Sequence, residues 1–180
     1  LTDEIFKSNL AKVKKFFVLQ GTKNIEKGAF FKQNEIEPII DKAKELFDVV
    51  ILNTDPAFDN IATFLALKKS DMTLIVIEQR LSHFNKLTKK MQSVLSLCTR
   101  TLIILNGNTK NLNISAENIY NTINITVLPL EVLSRVKIIN ALNLEKNLID
   151  TFYDLRNKRF IQNIEAISAK MEEIINFKNN

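Results

Sequence analysis

Only one of the 180 residues is a cysteine, Cys98, so no disulfide can form within the chain. That fits a reducing compartment. Cys98 falls in step with an apolar helical stripe, which predicts a buried core thiol rather than a nucleophile. Histidine also occurs once, at His83. No Ser-His-Asp spacing surrounds it, and no Cys/His/carboxylate cluster has the spacing of a zinc site. The three glycines are Gly21, Gly28 and Gly107. A loop that wraps phosphates in backbone N–H groups needs clustered glycines followed by Lys and Ser/Thr. None of the three stands in that arrangement; "GNTK" at Gly107 has the composition but not the spacing. No apolar run reaches the length of a membrane span. The opening "LTDEIFKSNLAKVKK" has no continuous apolar stretch after a basic one, so it is not expected to be a secretory leader.

What is present suits one globular domain spanning 1–180. Hydrophobic residues make up 46% and charged residues 25%, and the length allows a substantial core. The net charge of +5 admits an acidic partner, although heavy use of Lys, Asn and Ile accounts for much of it.

Along the chain, apolar runs and helical stripes alternate. "KKFFVLQ" (Lys14–Gln20) reads as a short buried strand, followed by a loop from Gly21 to Asn34. Ile36, Ile39, Ile40, Ala43 and Leu46 put one apolar face on a helix over Glu35–Leu46. "DVVIL" (Asp48–Leu52), "MTLIVI" (Met72–Ile77) and "TLIILN" (Thr101–Asn106) lack polar alternation, as strands covered on both faces do. Between them, Phe58, Ile61, Ala62 and Leu65 mark one helix, and Phe84, Leu87, Met91, Val94 and Cys98 mark another. A short helix over Ser115–Asn121 leads to "NITVLP", a strand ending at Pro129. Helices are expected beyond it, the last with a stripe from Phe160 to Ile175. Such alternation predicts an α/β fold: a doubly wound, mainly parallel sheet with helices on both faces.

The stretch "FDVVILNTDPAFDN" (Phe47–Asn60) is the most distinctive. An apolar run stops abruptly in polar residues, which usually delivers a loop to a ligand at a strand's carboxyl end. Together with the later runs "MTLIVI", "TLIILN" and "VLP", it resembles the ParA/MinD group of P-loop ATPases. The likeness is nearest to the CpaE/TadZ pilus-assembly type, whose members carry a phrase of the form "FDYVVVDTPPGFDD". It extends from about Phe16 to Ile175 and implies a Rossmann-like P-loop fold lacking its first strand.

The resemblance implies ATP and Mg²⁺ as family cofactors, and none for this chain alone, because the phosphate loop is missing. It places Asn53, Thr54 and Asp55 beside the nucleotide, Asn106 against the adenine base and Pro129 next to the purine. Asn53 replaces the family's acidic residue, and an amide cannot supply a carboxylate's charge to Mg²⁺; Asp55, two residues on, offers a shifted carboxylate that could compensate. No catalytic residue and no metal ligand is assigned. The missing loop and the leading Leu1 give the expectation that this is the C-terminal part of a larger ATPase domain.

Partners implied are proteins of a polar or partition machinery, and a second copy in the nucleotide-bound family form. Alone, the chain is expected to be monomeric; edge pairing of strands is the exception, to be probed by a Lys at Val50 or Ile75. Arg80, Lys86, Lys89 and Lys90 offer a basic face to nucleic acid or anionic membrane. The expected location is cytoplasmic, including the inner face of the membrane. Asp59 and Asn60 are expected to cap a helix.

Overall fold

A computed structural model describes residues 1–13, 15–21, 31–54, 60–109, 112–130 and 158–176. Several expectations fall outside these: Gly28, Asp55, Phe58, Asp59, Lys110 and the helices between 131 and 157. The described chain forms two compact units, Leu1–Ser70 and Asp71–Asn180.

The first unit runs α1 (Asp3–Ser8), β1 (Leu10–Val13), β2 (Phe16–Leu19), α2 (Gln33–Leu46) and α3 (Ile61–Lys69). Thr2 caps α1 by accepting from the Ile5 N–H. The carboxylate of Glu35 reaches back to the Lys32 N–H at 2.8 Å, satisfying a donor that the first turn of α2 leaves open. Asn60 opens α3, its side-chain oxygen accepting from the Thr63 N–H at 2.8 Å. Replacing Asn60 with Ala is therefore expected to cost about 1 kcal/mol of stability, read as a lower urea midpoint with unchanged slope.

Leu65, Ala66 and Leu67 are all buried, so α3 is covered on more than one side. Ion pairs tie the helices together. Lys69 of α3 lies 2.9 Å from Glu37 and 2.6 Å from Asp41. Lys42 of α2 lies 3.0 Å from Asp3 and 2.6 Å from Glu45. Lys44 donates to the Lys69 carbonyl at 2.9 Å, putting a cation where the dipole of α3 is negative. Hydrogen bonds first from Gln33 and then from Lys69 hold the Glu37 carboxyl below the usual carboxylate range. The Lys69 ammonium is pushed up, first by Asp41 and then by Glu37.

Two expectations fail in this unit. Phe16–Leu19 does form a strand, but it pairs antiparallel with β1, Val13 opposite Phe16, and all four of its residues are exposed. A short apolar run does not distinguish a covered parallel strand from an open hairpin; that depends on what lies across it. Asp48–Leu52 is not a strand at all. Its backbone is irregular, and Val49 and Ile51 are 78% and 87% exposed. Strand propensity reports fitness for a half-buried pleated surface, and without a paired neighbour it does not make a strand.

The second unit runs β3 (Thr73–Glu78), α4 (Leu81–Leu95), β4 (Thr101–Asn106), α5 (Ala116–Ile123), β5 (Val127–Leu130) and α6 (Lys158–Asn176). The three strands make a parallel sheet in the order β3-β4-β5. The fold is α/β, a small parallel sheet flanked by helices and compatible with a doubly wound arrangement. Residues Leu102 to Leu105 of the central strand are buried on both faces. Ile77, Ile103 and Leu105 share one face with Leu87 and Met91 of α4 and Ile119 of α5. Leu102 and Ile104 alternate to the opposite face.

Not every strand is covered twice, however. On β3, an outer strand among the described residues, Leu74 and Val76 are 38% and 58% exposed, so it is buried on one face only. Cys98 also departs from expectation. It lies past the end of α4, half-buried, and its sulfur accepts from the Thr73 hydroxyl at 3.3 Å. Among the described residues, no helix is long and apolar enough to cross a membrane.

Candidate functional site

Parallel pairing sets the strand ends level. Glu78 stands opposite Asn106, and Asn106 opposite Leu130, so the three strands end level at a single carboxyl edge. This is where open α/β sheets bind ligands. Pro129 pairs with Leu105, one step back from that edge. Proline is tolerated there because β5 is an outer strand among the described residues and needs no N–H on its free side. The structure thus brings Asn106 and Pro129 together. Asn53 and Thr54 belong to the first unit, where both are exposed on irregular backbone.

The loop after β4 turns at Gly107, whose φ of 76° lies in the region that favours glycine. The Gly107 and Asn108 N–H groups both donate to the Leu130 carbonyl at 3.0 Å. These are the donors that a phosphate at "GNTK" would need, and they are already engaged within the protein. The Gln79 side chain holds the other end of the loop. Its Oε1 accepts from the Thr109 N–H at 2.6 Å, and its Nε2 donates to the carbonyls of Thr109 at 3.0 Å and Ile114 at 2.7 Å. Ser115 then caps α5 by accepting from the Asn118 N–H at 3.1 Å.

Asn106 is exposed at the centre of this edge. Its amide offers one acceptor and two donors in a plane, which suits the edge of a planar polar group. Nearby, Glu78 holds Arg80 at 2.8 Å, while His83 stands 3.9 Å from the same carboxylate. Arg80 is thus paired rather than offered as an open cation. Among the described residues, no group of three or more His, Cys, Asp or Glu is placed to hold a metal ion.

Two other surfaces were candidates. Lys86, Lys89 and Lys90 are exposed on α4, whose Leu87, Met91 and Val94 are buried. An open hollow of about 400 Å³ lies along α2, lined by residues that include Glu37, Asp41, Lys42 and Glu45. Its charges are already matched by the ion pairs described above.

Gln79 is the residue that sequence reasoning passed over. The available signal was its position: a polar side chain directly after an apolar strand, level with the expected ligand edge. Comparison with protein-family models, curated proteins and solved structures returned no match to this chain.

Proposed function

We propose that the chain is a ParA/MinD-like domain of the CpaE/TadZ sort, acting in the spatial localisation of a bacterial envelope or partition machinery. The observation that carries this reading is the exposed Asn106 amide at the carboxyl edge of a parallel sheet, with Pro129 on the adjoining strand. In this reading the edge contacts the purine of an adenine nucleotide, through the Asn106 amide and the backbone near Pro129. Hydrolysis is not expected from this chain alone, because no loop in it has the phosphate-binding spacing and Asn53 is uncharged. A longer protein that supplies the loop and its Lys would be a Mg-ATP-dependent, dimerising ATPase. The domain would work in the cytoplasm or at the inner face of the membrane.

Calorimetry with Mg²⁺-ATP is expected to show weak binding at most, since the phosphates have no cradle. Titration with adenosine, followed by NMR, should move the amide resonances of Asn106, Gly107 and Leu130, and Asn106→Ala should remove that response. Submicromolar ATP binding would sink the expectation that the phosphates lack a cradle, and adenosine shifts confined to other residues would sink the nucleotide-edge reading. A fluorescent fusion that stays diffuse in its native cell would count against the localising role.

The exposed lysines of α4 support a second reading, a module that binds nucleic acid or anionic lipid. Steeply salt-dependent binding to DNA or anionic vesicles, lost in a Lys86→Glu, Lys89→Glu double variant, would favour it.

A further inference from the structure

We infer that Gln79 is a positioning residue that fastens Thr109 and Ile114 beside the end of β3, and with them the surroundings of Asn106. The inference rests on the reading of this edge as a ligand site, but its first readout does not depend on a ligand.

A glutamine side chain has one carbonyl oxygen and one NH₂ group. Here the oxygen faces a backbone N–H, and the NH₂ group faces two backbone carbonyls. Turning the amide over would set nitrogen against N–H and oxygen against two carbonyls, so the orientation is dictated by its partners. The NH₂ group draws the carbonyls of Thr109 and Ile114 to a single point. On the other side, Leu130 takes the Gly107 and Asn108 N–H groups. The loop is thereby fastened to the end of β3 by a side chain and to the end of β5 by backbone. No isostere reproduces this. Leucine has no polar atoms, and an ionised glutamate has no donor for the two carbonyls.

Carboxylate chemistry makes the inference testable. Glutamate at position 79 would keep the Thr109 N–H as a donor to its carboxylate, but two carbonyl oxygens would stand against its charge and favour the protonated form. Once protonated, it gains one O–H donor and can restore one of the two lost bonds.

The test is NMR on the full chain, comparing wild type, Gln79→Leu and Gln79→Glu. In Gln79→Leu, hydrogen-exchange protection of the Thr109 amide is expected to fall about tenfold relative to wild type at the same pH, in line with loss of a hydrogen bond. In Gln79→Glu the carboxylate still accepts from the Thr109 N–H, so that amide should stay protected at about pH 7, whereas the carbonyl resonances of Thr109 and Ile114, whose bonds are lost, should shift and return in part toward their wild-type positions by about pH 5. Wild type and Gln79→Leu should show no such transition. Unchanged Ile103 and Leu105 methyl signals would show that the sheet persists.

A Thr109 amide unaffected in Gln79→Leu would overturn the inference. So would a Gln79→Glu variant with no acid-driven return, since a space-filling role predicts none. Adenosine then separates the two ideas. If Thr109 responds as expected while adenosine moves nothing near Asn106 in the wild type, the nucleotide reading fails and the role of Gln79 in the loop stands.

Discussion

Leu105→Ala should lower the unfolding free energy by about 3 kcal/mol, within the range of about 2–5 kcal/mol for buried Leu→Ala changes. Leu105 is 0% exposed in the central strand and packs in the cluster formed with α4 and α5. Its removal forfeits transfer energy and leaves a cavity between elements that the parallel register holds in place. A domain of this kind has a total stability of about 5–15 kcal/mol, so the loss is a large share of it. Urea unfolding followed by circular dichroism should show a lower midpoint with an unchanged slope. A loss under about 1 kcal/mol would mean that the cluster does not form around β4 as described.

The two faces of β3 should tolerate lysine very unequally. Ile75 packs against the core cluster, whereas its neighbour Val76 is 58% exposed. Ile75→Lys would force an ammonium group toward an apolar cluster and should cost about 3 kcal/mol or more. Val76→Lys should cost less than about 1 kcal/mol, because the side chain stands in water and only strand propensity is lost. The same contrast corrects the choice of probe for edge pairing. A lysine at Ile75 would report on the core, and Val76 is the position that tests the free face of β3. If Val76→Lys proved the costly change, the strand would have to be shifted by one residue, which exchanges its faces. Thermal unfolding of the two variants side by side decides this.

Some of this architecture was legible before any coordinates. The run Thr101–Asn106 forms a strand with the expected bounds, because four consecutive large apolar residues have to be buried on both sides. The helices at Gln33–Leu46 and Leu81–Leu95 follow from apolar residues spaced by three and four. Asn106 was expected at a strand end and stands there, exposed.

Other features were not legible. "DVVIL" and "MTLIVI" read alike as strands, yet among the described residues only the second acquires a paired neighbour. "FFVL" gave no sign that its partner would be the preceding Leu10–Val13, in an open hairpin. The role of Gln79 depends on contacts 30 and 35 residues away.

The amino-acid pattern by itself determined which segments are apolar enough to need burial and which repeat with helical spacing, since both depend on a residue and its near neighbours. Only the tertiary structure decided which apolar runs become strands, which of their faces stay open, and how the edge loop is fastened. Ladder hydrogen bonds and side-chain clamps join residues far apart in sequence, so their formation depends on what the rest of the chain brings alongside.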